Sequence, residues 1–274
     1  MIGKINFVNR DTIESVDLIQ NGKQEIFHLD ATPSDILVFS NNQILTVNSK
    51  NKCLSLYDQN LKLIKRIRRI GVEMFRPSAV ALNMEEEKLY ILDHQHNRIL
   101  MTDLEFNLIK SVGSRGIENE HFRCPNDLCL INNNLYVCDT DNYRIQVFSK
   151  DLEFIKSEKV IDKPWKIKAS SHSLIIQSVR CRIFFYDLND FNLLQKYYHG
   201  RCRISKINSN IYAINHKEKF MFCYDEKGNL KEKVHLTSIN EYLTNDLDGS
   251  FIEFNGTLLM LSQSRNRIIK FSNN

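Results

Sequence analysis

The most constraining feature of the sequence is a pattern of four short β-strands that recurs along the chain. It is clearest in residues 125–156, PNDLCLINNNLYVCDTDNYRIQVFSKDLEFIK. This stretch predicts strands at 127–131, 135–138, 144–148 and 152–156. The connections of three to five residues are too short for crossover helices, so the strands are expected to form an antiparallel meander. One such sheet cannot bury both of its faces, and it therefore needs neighbouring sheets.

Related stretches on both sides of this meander can supply those neighbours. The other copies begin at Pro33, Pro77, Pro164, Cys202 and Asp248. The successive prolines, including Pro125, are 44, 48 and 39 residues apart. Four strands repeated about every 40 to 50 residues are typical of a β-propeller. The sequence therefore predicts an all-β fold, a six-bladed β-propeller of four-stranded antiparallel blades. A β-sandwich with accidental internal similarity is the alternative.

The last copy stops after its third strand, and the N-terminal part of the chain can complete it. Residues 24–29 align with the fourth strands of the other copies, and their pairing with the last copy would remove a sheet edge. No linker rich in Pro, Gly or Ser divides the sequence. Residues 1–274 are therefore expected to form one domain, with residues 1–23 as an extension or an extra outer strand.

Composition favours a protein of a reducing compartment. Hydrophobic residues make up 42% of the chain, but no apolar run is long enough to span a membrane. The N-terminal residues show no secretory signal, and the seven cysteines are odd in number and contain no Cys-x-x-Cys pair. We therefore expect a cytoplasmic or nuclear monomer with free thiols and no membrane association.

The second and third copies share a more specific pattern. HFRCPNDLCL…LYVCDTDNYRIQVF and GVEMFRPSAVAL…LYILDHQHNRI each have a Phe shortly before the Pro, an apolar strand, and an Asp before a short loop that ends in Arg-Ile. This pattern resembles the NHL repeat, and the sixth copy keeps Asn266, Arg267 and Ile268 of it. The resemblance covers most of the chain from about residue 33. It implies a six-bladed propeller but fixes no activity.

The residues that invite a catalytic interpretation have a simpler structural one. Asp93 and Asp139 precede a tight loop, where a carboxylate can accept hydrogen bonds from backbone N–H groups, and Asn or Ser replaces them in the other copies. His94 and His96 could begin a zinc site, but the spacing indicates no third ligand. No nucleotide-binding or nucleophile motif is present. We expect no catalytic residue, metal or cofactor; a metal-dependent propeller enzyme is the less favoured alternative.

The distribution of basic residues carries the functional signal. Loops between second and third strands all emerge on one face of a propeller. In this chain they contain ten Lys and Arg residues against Asp141 and Glu218, whereas the remaining sequence contains 27 basic and 31 acidic residues. Six of the ten occupy the Arg position of the repeat, where the side chain can instead brace the blade. Such segregation of charge is expected of a protein that binds a polyanion.

The fourth and fifth copies combine cations with aromatic rings. There Lys166 and Arg203 replace Asp35 and Asp127 of the first and third copies, next to Trp165. The residues predicted to contact phosphate are Arg180, Arg182, Lys166, Arg201, Arg203, Lys217 and Arg265. The rings predicted to stack on bases are Trp165, Tyr143 and Tyr198. The sequence thus predicts binding of single-stranded or looped RNA, which the resemblance to RNA-binding NHL domains also implies. A scaffold for an acidic protein partner is the alternative.

Overall fold

The computed structural model describes residues 23–29, 33–200, 202–207, 209–215, 217–235, 251–254, 257–262 and 267–272. These residues form six four-stranded antiparallel sheets. The first strands of neighbouring sheets contact one another around a closed ring, so the sheets are the blades of a six-bladed propeller. The predicted all-β architecture is confirmed. No helix within the described ranges is long and apolar enough to cross a membrane.

The first two blades occupy residues 35–112. The first strand of the chain, β1 (Lys23–His28), belongs to the last blade and is described with it. Blade 1 consists of β2 (Asp35–Val38), β3 (Ile44–Asn48), β4 (Cys53–Tyr57) and β5 (Leu63–Ile67). A short hairpin follows, made of β6 (Arg69–Ile70) and β7 (Glu73–Met74). Blade 2 consists of β8 (Pro77–Asn83), β9 (Lys88–Asp93), β10 (Arg98–Thr102) and β11 (Leu108–Val112).

The next three blades repeat this order. Blade 3 consists of β12 (Pro125–Ile131), β13 (Asn134–Asp139), β14 (Arg144–Ser149) and β15 (Phe154–Lys159), with a 3-10 turn at Thr140–Asn142. Blade 4 consists of β16 (Pro164–Ala169), β17 (Ser173–Ser178), β18 (Arg182–Asp187) and β19 (Leu193–Tyr198). Blade 5 consists of β20 (Arg203–Ile207), β21 (Asn210–Asn215), β22 (Phe220–Tyr224) and β23 (Leu230–His235).

Blade 6 joins the two ends of the chain. Its strands are β24 (Phe251–Phe254), β25 (Thr257–Ser262), β26 (Arg267–Ser272) and β1. β1 runs antiparallel to β26, with Lys23 opposite Ser272 and His28 opposite Arg267. The predicted closure by residues 24–29 is therefore confirmed. Of the extension expected at residues 1–23, only Lys23 lies within the described residues.

The hydrophobic core is divided into clusters between neighbouring blades. Between blades 2 and 3, for example, Tyr90 and Leu92 pack with Leu128 and Val137. The seven cysteines are free, and buried ones such as Cys138 pack as small apolar side chains in these clusters. The described clusters bury both faces of blades 1 to 4 against their neighbours, so these sheets depend on the ring for their stability.

The fourth strand of blade 3 begins two residues later than the sequence predicts. Leu152 has a φ of 58° and closes the preceding turn by donating its N–H to the Ser149 carbonyl at 3.0 Å. The equivalent residues of the other turns share this left-handed conformation: Leu61, Phe106, Phe191 and Gly228. A left-handed leucine costs about 1–2 kcal/mol, which burial of its side chain offsets. An apolar residue in this position therefore belongs to the turn, although it looks like a strand residue in the sequence.

Candidate nucleic-acid interface

The loops between second and third strands share one face with the connections between blades. Hydrogen bonds join them: Ser49 Oγ donates to the Pro77 carbonyl at 2.6 Å, and Thr140 Oγ1 donates to the Pro164 carbonyl at 2.7 Å. His94 Nδ1 lies 2.9 Å from the Pro125 carbonyl in the same arrangement. We call the surface formed by these loops and connections the loop face. It is the face that the sequence predicts to be basic.

Two of the predicted loop cations brace the blades instead of facing solvent. Arg144 Nε donates to Asp139 Oδ2 at 2.7 Å, and its guanidinium also donates to the Glu118 and His121 carbonyls. Arg98 Nε donates to Asp93 Oδ2 at 3.1 Å. These arginines are therefore part of the scaffold, and the basic surface is smaller than the loop sequences suggest.

Asp93 and Asp139 accept hydrogen bonds from backbone N–H groups, as the sequence predicts. The donors, however, are not the N–H groups of the following loop. Asp139 Oδ1 accepts the N–H of Arg123 at 2.7 Å, and Asp93 Oδ1 accepts the N–H of Arg76 at 3.1 Å. Both donors lie on the connection entering the blade rather than on the following loop. Two described residues at this repeat position bind their own loops in the predicted way. Asn215 Oδ1 accepts the Glu218 N–H at 2.9 Å, and Ser178 Oγ accepts the Arg182 N–H at 3.2 Å.

The His-x-His pair, His94 and His96, lies on the loop that follows Asp93. His94 approaches the Pro125 carbonyl as described above, and His96 Nδ1 lies 2.6 Å from Asp93 Oδ2. Within the described ranges, no group of three or more His, Cys, Asp or Glu side chains is arranged to hold a metal ion. The two imidazoles are thus positioned by contacts within the propeller.

A cavity of about 430 Å³ opens at the centre of the loop face, where the first strands of the blades begin. We call it the mouth cavity. Its wall includes Lys50, Arg76, His94, Trp165, Lys166 and Arg203. No acidic side chain occurs among the described residues of this wall. Its volume falls within the range of about 300–1,000 Å³ that is usual for ligand sites.

Trp165 has the largest side chain among the described residues at its repeat position. Blades 1, 2, 3 and 5 have smaller side chains there: Ser34, Ser78, Asn126 and Cys202. The Trp165 carbonyl accepts a hydrogen bond from Asn126 Nδ2 at 2.8 Å, which fixes the backbone. The residue is nevertheless 39% exposed. Its indole therefore offers a flat apolar surface beside the cations of the wall.

Charges inside the central channel compensate one another below the mouth. Lys166 Nζ lies 3.6 Å from Oδ1 of the fully buried Asp127. Burial raises the pKa of Asp127, although Lys166 and Lys168 oppose this effect. Burial lowers the pKa of Lys168, but the carboxylates of Asp35 and Asp127 outweigh it and raise this pKa to about 12. Lys166 and Lys168 thus compensate the charges of Asp35 and Asp127 in the channel, and Lys166 also lines the mouth cavity.

The other predicted phosphate contacts fall into three groups. Arg180 and Lys217 are exposed on loops, and neither forms an ion pair with another described residue. Arg182 is partly exposed, with Nη1 lying 3.6 Å from Asp162 Oδ2. Arg201 and Arg265 lie outside the described residues.

The three predicted stacking residues are exposed but not adjacent. Tyr198 is 70% exposed at the end of β19, opposite Arg182. Tyr143 is also exposed, and Lys163 Nζ lies 5.4 Å from the centre of its ring. Neither tyrosine lines the mouth cavity. The structure therefore brings Trp165 together with Lys166 and Arg203, and it leaves the tyrosines elsewhere.

The sequence interpretation did not assign several wall residues to the site. Arg76, His94 and Asn126 belong to the well-preserved second and third copies, and none of them is among the predicted contacts. Asn126 occupies the same repeat position as Trp165. Residues at equivalent repeat positions lie next to one another around the propeller axis, so the unusual Trp165 could have pointed to Asn126.

Comparison with known proteins agrees with this geometry. The sequence model of the NHL repeat matches residues 122–148, which include the braced Asp139–Arg144 loop of blade 3. Blade 3 of this six-bladed propeller is an NHL repeat. A comparison of the chain with curated proteins finds no match.

Solved structures share the propeller fold of this chain at low sequence identity. The Pan2 WD40 domain of Neurospora crassa is 10% identical with a TM-score of 0.66, covering 89% of this chain and 90% of its own. Virginiamycin B lyase of Staphylococcus aureus is 9% identical with a TM-score of 0.61, covering 92% and 99%. BamB of Moraxella catarrhalis is 12% identical with a TM-score of 0.54, covering 86% and 68%. At these identities the likeness shows the fold alone.

Proposed function

We propose that this propeller binds single-stranded or looped RNA across its loop face, with the mouth cavity at the centre of the interface. One observation carries the proposal: the exposed Trp165 indole lies among cations in the wall of the mouth cavity. The described residues of this wall include no acidic side chain. A strand of RNA needs both features, because its phosphates require positive charge and its bases stack on aromatic rings.

The surface around the mouth extends the positive charge. These exposed loop-face residues form no ion pair with another described residue: Lys50, Lys52, Arg69, Arg76, Arg115, Arg123, Arg180, Lys217 and Lys219. They surround the mouth on several blades, which supports a path for an extended strand. The braced Arg98 and Arg144 are excluded from this surface because their charge is compensated.

The proposed function is binding rather than catalysis, in a cytoplasmic setting. The ionisable imidazole of the mouth wall, His94, is engaged by the Pro125 carbonyl. An acidic protein partner is the second candidate, since propellers commonly serve as interaction scaffolds. The hairpin of β6 and β7 favours it, because Val72 at its tip is 88% exposed beside the cation Arg69. An apolar tip next to a cation suits a protein surface.

The test is a titration with fluorescently labelled single-stranded RNA at several salt concentrations. We expect the logarithm of the association constant to fall linearly with the logarithm of salt, by about 0.7 for each phosphate contact. The double variant Lys50→Glu/Lys217→Glu should weaken binding at least about tenfold and reduce this slope. Absence of binding at low salt, or binding that this variant leaves unchanged, would contradict the proposal.

A matched control reverses two exposed lysines on the opposite face. Lys62 and Lys227 lie in the turns between third and fourth strands. The variant Lys62→Glu/Lys227→Glu has the same net charge as the loop-face variant. It should retain nearly the affinity of the original protein. A poly-glutamate peptide that binds in place of RNA would favour the acidic-protein candidate.

A further inference from the structure

At the seam between blades 4 and 5, the loop residue that contacts the next blade across three other seams has no polar side chain. Ser49, His94 and Thr140 each contact the first carbonyl of the following blade. Blade 4 has Val179 at this position, and valine has no polar side-chain atom. Val179 is exposed, and the seam beside it is open at the loop face.

A buried polar residue stands next to this opening. The equivalent positions in the other described blades hold buried apolar side chains: Val47, Leu92, Cys138 and Ile214. Blade 4 instead has Gln177, which is only 4% exposed. Gln177 Nε2 donates to the Cys202 carbonyl at 2.5 Å, which orients the amide, and Oε1 has no hydrogen-bond partner in the described part of the chain. An unpaired buried acceptor is unfavourable, so its presence at an otherwise apolar position indicates a use.

Gln177 and Val179 line a second cavity, of about 340 Å³, which we call the seam cavity. Cys181 and Cys202 form part of its wall, and burial raises the pKa of the Cys202 thiol to about 12, so this group is neutral. Trp165 and Arg203 line both the seam cavity and the mouth cavity. The two cavities therefore share a wall that contains one aromatic ring and one cation.

We propose that the seam cavity binds one nucleobase. The base lies against the Trp165 indole, an N–H of its pairing edge donates to Gln177 Oε1, and the adjoining phosphate faces Arg203. Each common base carries such an N–H donor, and stacking with hydrogen bonds to the pairing edge is how proteins read unpaired bases. The proposal rests on the proposed RNA binding and adds to it the place where base identity is read. A free nucleotide offers the same chemistry, so the experiment includes both.

The experiment compares labelled homopolymers of U, C, A and G with an abasic ribose-phosphate strand of equal length. We expect the original protein to bind at least one homopolymer about tenfold more tightly than the abasic strand. Gln177→Leu gives blade 4 the apolar residue of blade 2, and Val179→Thr gives it the seam donor of blade 3. Both variants should lose this preference while keeping their affinity for the abasic strand. Val72→Thr, the same change on the exposed hairpin, should preserve the preference.

The outcomes separate this pocket from the proposed function. A preference that is unchanged in both seam variants, each checked for its melting temperature, would overturn the pocket and leave RNA binding intact. Calorimetry with the four nucleoside 5′-monophosphates tests the free ligand. If the original protein binds a monophosphate but no strand, and Gln177→Leu abolishes this binding, the result would support the pocket and overturn the RNA function. An original protein that binds neither strands nor monophosphates would overturn both.

Discussion

Asp139 and Arg144 form an ion pair with 2.7 Å between Oδ2 and Nε, and both residues are buried. Removing one partner of a buried pair leaves the other charge uncompensated, which costs about 3–5 kcal/mol. We therefore expect Asp139→Ala to lower the free energy of unfolding by about this amount, measured by urea denaturation.

Asp151 offers the matched control for this change, because it pairs with Lys88 on the surface. Asp151→Ala should cost less than about 1 kcal/mol. Equal effects of the two substitutions would show that the Asp139 pair does not brace the blade.

Trp165→Ala should weaken RNA binding by about 1–3 kcal/mol, the usual loss when a stacking ring is removed. The slope of affinity against salt should stay the same, since no cation is changed. Anisotropy titrations of labelled RNA at three salt concentrations measure both quantities. Tyr198→Ala is the comparison, because Tyr198 is more exposed but lies outside both cavities. A larger loss for Tyr198→Ala would move the centre of the interface away from the mouth.

Stability should fall in mild acid because of His199. Burial, together with Lys233, lowers the pKa of this imidazole below its ordinary value of 6.5, although Glu218 opposes the shift. Its ring stacks on Phe222 with 3.7 Å between centroids and is hydrogen-bonded to the Tyr224 hydroxyl. Below pH 6.5 the unfolded chain binds a proton that the folded protein does not, so the free energy of unfolding decreases.

Urea midpoints measured at about pH 7.5 and pH 5.5 test this prediction. His199→Phe keeps the ring stacking and removes the titrating group. This variant should show a smaller drop in stability between the two pH values than the original protein. An identical drop would assign the acid sensitivity to other groups.

Gly228→Ala should destabilise the contact between blades 4 and 5. Gly228 has a φ of 86°, and a Cβ there would lie 2.5 Å from Phe185 Cγ. Overpacking of about 1–3 kcal/mol therefore adds to the backbone strain. Gly71→Ala is the control, since Gly71 has a φ of 62° but nothing within 4 Å of the added carbon. Thermal unfolding should show a clearly larger loss at Gly228, and equal losses would contradict the predicted clash.

The fold could be predicted from the sequence because repeats give each blade the same pattern. The strands around Asp139 and the closing strand at residues 24–29 were both found by comparing copies. The turn at Leu152 was not, because hydrophobicity indicates burial but does not distinguish a left-handed backbone from an extended one. The left-handed backbone of Leu152 depends on the burial of its side chain, which the turn makes possible.

The candidate site could be predicted only in part. Trp165 and Arg203 were found because they depart from the repeat, and the structure places both in the mouth wall. The partner of Arg182, Asp162, was missed because it lies on the connection entering the blade rather than on the loop. Gln177 was missed because its unpaired acceptor becomes visible only when the buried hydrogen bonds are accounted for.

The pairing of β1 with β26 sets the order in which the ring can be completed during synthesis. Among the described strands, Lys23–His28 leaves the ribosome first, but its partner at Arg267–Ser272 is made last. The first strand must therefore stay unpaired, with its edge open to other chains, while all the intervening blades are translated. Nascent chains stalled before residue 267 should for this reason depend on chaperones more than the finished protein does.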